Sequence, residues 1–118
     1  MIARSEIWDV RLSPTEGAEM QKIRPCVVVS SDHVGALPLK IVVPVTGWKE
    51  AYANRLWLIR VSPSQRNGLE KLSAVDAFQV RSVSEKRFVR KRGHVTADQM
   101  DDIVAAIGIV LEINSPDV

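Results

Sequence analysis

Two side chains at the ends of predicted strands have the chemistry to act on a phosphodiester. Arg24 begins the apolar run 24–30, and Thr46 ends the run 39–46. A planar guanidinium can bind two oxygens of one phosphate, and a threonine hydroxyl can donate a further hydrogen bond. Taken singly, each residue is more commonly a solvated group at the rim of a sheet. The pair indicates a phosphate site only if the fold brings the two strand ends together.

No group of side chains in the sequence has the spacing of a metal site. The two histidines, His33 and His94, and the single cysteine, Cys26, are far apart along the chain. Cys26 lies within an apolar strand, where a buried and unreactive thiol is expected. The chain has no glycine-rich phosphate loop, GxSxG motif or HExxH motif. We therefore expect chemistry that uses neither a metal ion nor another cofactor.

The charge distribution favours a polyanionic partner. The 118 residues carry a net charge of +2, but residues 1–92 contain all 16 lysines and arginines, whereas residues 93–118 contain none and five acids. This asymmetry predicts a basic body, suited to nucleic acid, and an acidic terminal helix. No apolar run approaches the roughly 18–20 residues of a membrane helix, and the N-terminus lacks the apolar core of a secretory signal. We expect a cytoplasmic protein without membrane contact.

Short segments of alternating or β-branched residues predict an antiparallel sheet. In the first segment, Trp8, Val10 and Leu12 are expected to face the core, and Asp9 and Arg11 the solvent. The second segment is apolar without alternation, as in a strand buried on both faces. Strands are predicted at residues 6–12, 24–30, 39–46, 56–61, 73–83 and 88–92.

The last predicted element is a helix. Thr96 and Gln99 have the spacing of a capping box, and an apolar stripe follows at Met100, Ile103, Val104, Ile107 and Leu111. A helical turn is also expected at residues 84–87. Residues 1–118 are therefore predicted to form one domain that is mostly β with α, a small antiparallel β-barrel closed by a C-terminal helix.

The spacing of several motifs resembles that of the MazF/PemK-like toxin ribonucleases. Within residues 8–32, the match is carried by Pro14, Thr15, Gly17, Glu19, Lys22, Arg24 and Pro25, followed by the apolar run 27–30. It continues at residues 43–46, at residues 78–82, and at Gly93 before the terminal helix. Each motif is weak alone, but the combination is specific and covers nearly the whole chain.

The resemblance implies an SH3-like barrel that forms a homodimer and cuts single-stranded RNA without a metal ion. It also implies a cognate antitoxin, for which we predict an acidic, disordered C-terminal segment that overlaps the RNA site. The family's catalytic arginine and threonine correspond to Arg24 and Thr46, and a glutamate proposed as proton acceptor in some members corresponds to Glu19. One departure is Gly47, because members usually carry a serine or threonine at this position. Another is the sequence Arg4-Ser5-Glu6, where many members have Arg-Gly-Asp/Glu.

Side chains around these residues are candidates for RNA binding. We expect Gln21, Lys22, Gln79 and Arg81 near the substrate, and Trp48 either to stack on a base or to anchor its loop. Further phosphate contacts are available from Lys86, Arg87, Arg90, Lys91 and Arg92, which together could also form a solvated face.

The residue types suit cleavage by the 2′-hydroxyl of the RNA, which leaves a 2′,3′-cyclic phosphate and a 5′-hydroxyl. Two other functions remain open at this point. One is a non-catalytic toxin that binds a protein target such as DNA gyrase, and the other is an RNA-binding barrel without catalysis.

Overall fold

Short β-branched segments separated by turns form seven antiparallel strands, and one helix follows them. The computed structural model describes residues 1–35 and 37–113. The strands are β1 (Glu6–Arg11), β2 (Ile23–Val28), β3 (Leu39–Gly47), β4 (Leu58–Val61), β5 (Ser73–Asp76), β6 (Arg81–Ser84) and β7 (Phe88–His94). Three 3₁₀ turns lie at Glu50–Tyr52, Ala77–Gln79 and Glu85–Arg87, and helix α1 spans Ala97–Val110. The predicted class, mostly β with a C-terminal helix, is confirmed.

Strand β3 organises the sheet because it pairs with three other strands. The order is β4-β5-β3-β2-β1-β7, and β6 also pairs with β3. The first part of β3 pairs with β6 through residues such as Ile41 and Val42, whereas its end pairs with β5 through Val45, Thr46 and Gly47. Thr46 therefore lies in the part of β3 that pairs with β5.

Alternate residues of β2 and β3 pack into two apolar cores. Val27, Val43 and Val45 belong to a core that also contains residues of β4, β5 and α1. Cys26, Val28 and Val42 belong to a second core with residues of β1 and β6. Successive side chains of a strand point to opposite faces, so an apolar run without alternation is buried on both sides. The expectation of a doubly buried second strand is confirmed.

The single strand predicted at residues 73–83 is wrong. The chain leaves β5 at Asp76, whose Oδ1 accepts a hydrogen bond from the backbone N–H of Phe78 at 3.1 Å. This bond caps the turn Ala77–Gln79, and the ring of Phe78 is exposed. The turn separates Val75, which pairs with Val45, from Arg81, which pairs with Val42, so β5 and β6 pair with successive parts of β3.

Asp9 was expected to face solvent and is instead buried. Its carboxylate accepts a hydrogen bond from Arg92 Nε at 2.6 Å and lies 3.4 Å from Arg90 Nη2. A carboxylate can be buried when cations compensate its charge, so the polar residue occupies a position that its type alone does not predict. Similarly, the fourth strand begins at Leu58 rather than at Leu56, which is exposed.

The capping box of α1 is confirmed, but its apolar stripe is only partly buried. Gln99 N donates to Thr96 Oγ1 at 3.1 Å, and Thr96 N donates to Gln99 Oε1 at 2.9 Å. Met100 and Ile103 pack into the core that contains Val27, whereas Val104 and Leu111 remain 43% and 58% exposed. Within the described residues, no helix combines the length and apolar character needed to cross a membrane.

Two glycines allow the loop before β5 to lie against β7. Gly68 has a φ of +65°, and a Cβ on it would overlap the carbonyl of Arg92. A Cβ on Gly93 would likewise overlap the carbonyl of Arg66. Both positions therefore require the absence of a side chain, which accounts for Gly93 just before the helix.

Candidate active site

Pairing of β2 with β3 brings Arg24 and Thr46 together. The last pair in this register is Cys26 with Pro44, and Arg24 and Thr46 lie two residues beyond it, on the same face of the two strands. Arg24 Nη1 donates a long hydrogen bond to Thr46 Oγ1, with 3.4 Å between the two atoms. Both side chains are half-buried. The fold thus satisfies the condition that the sequence leaves open.

Arg24 and Thr46 line an open cavity of about 310 Å³ together with Gln21 and Lys22. Lys22 adopts a left-handed backbone with a φ of +67°. Its N–H donates to Ser13 Oγ at 2.6 Å, and its carbonyl accepts from Leu12 N at 2.8 Å. These contacts hold the end of the long loop beside β2. Four of the predicted site residues therefore share one cavity.

The acid that lines this cavity, Glu70, lies 3.7 Å from Arg92 Nη1 and does not pair with Arg24. Among residues 1–35 and 37–113, no carboxylate oxygen lies within 4 Å of the Arg24 guanidinium. In the same ranges, no three histidine, cysteine or acidic side chains lie close enough to hold a metal ion. The guanidinium of Arg24 and the hydroxyl of Thr46 are therefore both available to an anion in the cavity.

Glu19 lies in a second cavity, of about 440 Å³, with Gln79, Arg81 and Pro44. The structure does not place it in the cavity of Arg24 and Thr46. Pro44 and Thr46 are two residues apart in β3, however, so both cavities open on the same face of that strand. Glu19 Oε1 accepts from Glu16 N at 2.6 Å, and Oε2 has no hydrogen-bond partner in the described part of the chain.

Gln79 positions the backbone on both sides of Glu19. Its Oε1 accepts from Met20 N at 2.7 Å, and its Nε2 donates to the carbonyl of Ala18 at 3.3 Å. A role of this kind was not foreseen, because nothing in the sequence links residue 79 to a loop 60 residues earlier. Arg81, the other residue predicted on this segment, donates to the carbonyl of Leu12 at 3.3 Å and borders the same cavity.

Trp48 lies outside both cavities and already has partners. The guanidinium carbon of Arg60 lies 5.6 Å from the centre of its ring, and the ring of Tyr52 meets it edge-on at 5.8 Å. Its backbone N–H donates to the carbonyl of Leu72 at 3.0 Å. This geometry matches the loop-anchor interpretation more closely than a free stacking surface, and base stacking stays a prediction.

The lysines and arginines of residues 86–92 form a cationic cluster that precedes the C-terminal helix in sequence. Most of these side chains contact other groups of the protein. Arg87 donates to the carbonyls of Arg11 and Ser13, and Lys91 Nζ lies 2.8 Å from Glu6 Oε2. Burial alone would raise the pKa of Glu6, but hydrogen bonds from Lys91, Trp8 and the Ala3 N–H outweigh it and lower that pKa. Because Arg90 and Arg92 pair with Asp9, the cluster is a structural network, and its supply of phosphate contacts is smaller than expected.

Comparison with known proteins identifies the family. Residues 3–111 match the sequence model described as PemK-like, MazF-like toxin of type II toxin–antitoxin system. The chain belongs to this family. It is 32% identical over 120 residues to Endoribonuclease MazF9 of Mycobacterium tuberculosis (strain ATCC 25618 / H37Rv), an alignment that covers 96% of this chain and 98% of the relative.

Solved structures of toxins share the fold. MazF of Deinococcus radiodurans superimposes with a TM-score of 0.77 at 20% identity and covers 95% of this chain and 97% of its own. An endoribonuclease in complex with its cognate antitoxin, from a mycobacterial species, gives a TM-score of 0.73 at 16% identity, over 98% of this chain and 100% of its own. The family and the fold predicted from the sequence are thereby confirmed.

Proposed function

We propose that this toxin is a sequence-specific endoribonuclease that cuts single-stranded RNA without a metal ion. In this reaction the 2′-hydroxyl loses its proton as it attacks the adjacent phosphorus, and the bond to the 5′-oxygen breaks as that oxygen takes up a proton from the solvent. The products are a 2′,3′-cyclic phosphate and a 5′-hydroxyl. The observation that carries the proposal is the 3.4 Å contact between Arg24 Nη1 and Thr46 Oγ1 at the rim of an open cavity. Similarity over nearly the full length to a relative named an endoribonuclease supports the reaction class.

Arg24 is assigned to the phosphate. A guanidinium has five N–H donors, of which Thr46 takes one, so the others are free for the phosphoryl oxygens. Negative charge builds on these oxygens as the fifth bond to phosphorus forms, and a fixed donor of this kind typically accelerates such a reaction ~100–1,000-fold. A guanidinium holds its protons too firmly to be an effective acid, so the main role of Arg24 is electrostatic stabilisation.

Thr46 is assigned a hydrogen bond to a non-bridging oxygen. Its hydroxyl accepts from Arg24, which leaves the O–H proton free to point toward the cavity. No histidine is adjacent to activate this hydroxyl, so we do not assign it the role of nucleophile or base.

Glu19 is the proposed proton acceptor. Its Oε2 is available, and the bonds from Gln79 to Met20 and Ala18 restrain the loop on either side. To accept this proton, Glu19 must come within about 3 Å of the 2′-hydroxyl beside the reacting phosphate. The reacting ribose would therefore lie between the two cavities, along β3 from Pro44 to Thr46. We expect Gln21 and Lys22 to bind one end of this segment, Gln79 and Arg81 the other, and Trp48 to contact a base beyond it.

The experiment is cleavage of a long single-stranded RNA in EDTA, with DNA of the same sequence as a matched substrate. The RNA should be cut and the DNA left intact, because only RNA carries the 2′-hydroxyl. Cleavage that needs an added divalent ion, or equal cleavage of DNA, would contradict the proposal. Binding of RNA without cleavage would favour the non-catalytic barrel, and no action on RNA would favour a protein target.

We also propose that a cognate antitoxin inhibits the toxin with an acidic, disordered C-terminal segment. The cavity of Arg24 and Lys22 attracts carboxylates for the same reason that it attracts phosphates. The mycobacterial relative was solved with its cognate antitoxin, which supports a partner of this class. Saturation of Arg24→Ala with RNA should weaken antitoxin binding. Independent binding of the two would contradict an overlapping site.

The toxin is further proposed to act in the cytoplasm as a homodimer. An open groove of about 480 Å³ between β3 and α1 is lined by apolar side chains that include Ile41, Val104 and Leu111. Ile41 and Val104 are each 43% exposed and Leu111 is 58% exposed, so a second copy would remove apolar surface from water. Sedimentation should give a dimer at micromolar concentration, and Val104→Asp should shift it toward monomer. A wild-type monomer under these conditions would contradict the proposal.

A further inference from the structure

A lysine lies across the end of β3 beside the Arg24–Thr46 pair. Gly47 follows Thr46, and a Cβ on this glycine would lie 3.2 Å from Lys71 Nζ, 3.3 Å from its Cε and 3.9 Å from its Cδ. The φ of Gly47 is outside the left-handed region, so its backbone conformation does not require glycine. What the missing side chain provides is room for the end of Lys71 to lie against the strand.

The backbone of Lys71 is fixed by the pairing of β5 with β3. Gly47 pairs with Ser73, two residues after Lys71. Ser73 Oγ donates to the carbonyl of Lys71 at 2.8 Å, and Trp48 N donates to the carbonyl of Leu72 at 3.0 Å. These bonds place the lysine at the mouth of the cavity, whose lining it shares with Arg24 and Thr46.

The ammonium group of Lys71 has no acidic partner in the described part of the chain. Lys40 and Lys91 each form an ion pair, whereas no carboxylate oxygen lies within 4 Å of Lys71 Nζ. The neighbouring acid, Glu70, is 3.7 Å from Arg92 Nη1. The lining of this cavity also contains two guanidiniums, of Arg24 and Arg92, and one carboxylate, of Glu70. Its cations outnumber its acids, so an anion is the ligand that would balance the excess positive charge.

We propose that Lys71 is a second phosphate-binding cation of the site and contacts the backbone of the RNA next to the scissile phosphate. The inference rests on the proposed endoribonuclease function. Lys71 lies over Gly47, one residue beyond Thr46, so it is displaced along β3 from the pair assigned to the reacting phosphate. A contact to a phosphate that does not react is made equally in the ground and transition states. It affects KM and leaves kcat unchanged.

The test measures RNA affinity as a function of salt. The probe is a mixed-sequence single-stranded oligoribonucleotide with every 2′-hydroxyl methylated, which keeps the phosphates and lacks the nucleophile. Each phosphate contact with a single strand contributes about 0.7 to the slope of log K against log salt concentration. Lys71→Gln should lower this slope by ~0.7 and weaken binding about fivefold at 0.1 M salt. Lys71→Arg should restore most of the slope because it keeps a cation at this position.

Lys49→Gln is the matched control. It removes the same charge from an exposed lysine two residues after Gly47, outside the cavity lining, and should leave the slope unchanged. In cleavage assays, Lys71→Gln should raise KM about fivefold at 0.1 M salt with kcat retained. The assignment would be overturned if Lys71→Gln keeps the wild-type salt slope, or if Lys71→Gln and Lys49→Gln lower the slope by the same amount. A wild-type protein that does not cleave RNA overturns the proposed function instead, so the two failures are distinguished.

Discussion

Two groups of cations in this toxin look alike in sequence and differ in what surrounds them. Arg24 and Lys71 border an open cavity, and no described carboxylate lies within 4 Å of either charge. Arg90 and Arg92 instead surround Asp9, with the Arg92 Nε to Asp9 Oδ1 distance at 2.6 Å. Arg92 also lines the cavity, but its guanidinium is held by Asp9 and Glu70. The position of one buried acid therefore separates cations that hold the fold together from cations that are available to a polyanion.

The largest expected effect comes from removing the acid of the structural group. Asp9 and Arg92 have side chains only 12% and 16% exposed, so Asp9→Ala removes the 2.6 Å partner of a mostly buried guanidinium. The acid that remains is the exposed Glu70, 3.7 Å from Arg92 Nη1. Loss of one partner of a buried pair costs about 3–5 kcal/mol of unfolding free energy. Urea denaturation measures this loss, with the exposed Asp101→Ala as a control that should stay within about 0.5 kcal/mol. A loss below about 1 kcal/mol for Asp9→Ala would show that the pair is not a structural centre.

Arg24→Ala tests the other group. Cleavage should fall by ~100–1,000-fold or more because the donor to the phosphoryl oxygens is lost, while the unfolding free energy changes little. Initial rates on single-stranded RNA and urea denaturation of the same preparation measure the two quantities. A folded Arg24→Ala with near wild-type cleavage removes this residue from the mechanism.

Thr46→Ala should have a smaller effect, a loss of ~100-fold in cleavage rate, because one hydrogen bond to the transition state is removed. Thr46→Ser keeps the hydroxyl and should retain most activity. If the alanine variant cleaves at the wild-type rate, Thr46 is only a hydroxyl at the end of a strand.

Cys26 lies between the two groups and reports on the burial of β2. Burial, the dominant cause, raises the pKa of its thiol to about 12, with opposing influences from Arg81 and Arg24 and a reinforcing one from Asp9. The folded state holds this proton more tightly than the unfolded state. The thiol therefore contributes fully to the free energy of unfolding below about pH 9, and this contribution is lost as the pH rises toward about 12. The fall in unfolding free energy over this range should be shallower in Cys26→Ala. Identical pH profiles for the two proteins would contradict the burial of this thiol.

Arg90→Ala should have the smallest effect of the series. Its guanidinium is 64% exposed and 3.4 Å from Asp9 Oδ2, so removing it should cost about 0–1 kcal/mol and leave cleavage unchanged. A cleavage defect comparable with that of Arg24→Ala would show that the two groups of cations do not have separate roles.

The sequence predicts the elements of this fold better than their interruptions. The run around Val27 and Val28 and the capping box at Thr96 depend on local patterns, and both are confirmed. The break between β5 and β6 depends on the hydrogen bond from Phe78 N–H to Asp76 Oδ1 and on the pairing of the two strands with different residues of β3. The interruption is hard to predict, because Phe78 and Val80 keep an alternating pattern across the turn at Ala77–Gln79.

For the candidate site, the sequence could name residues but not their grouping. The positions of Arg24 and Thr46 at strand ends suggested a phosphate site, and the register of β2 with β3 makes them neighbours. The placement of Glu19 in a separate cavity depends on loop contacts from Gln79, and Lys71 becomes part of the site only because Gly47 lacks a side chain. The placement of both residues depends on contacts between segments that are distant in the sequence.

We propose that Arg24 and Thr46 bind the phosphate that the RNA's own 2′-hydroxyl attacks. The chemical identity of the ends produced from a long single-stranded RNA in EDTA tests this reaction, with Arg24→Ala as the control. We expect fragments with 5′-hydroxyl and 2′,3′-cyclic phosphate ends at defined sequences, absent from the control reaction. Fragments with 5′-phosphate and 3′-hydroxyl ends, or the same fragments from Arg24→Ala, would contradict it.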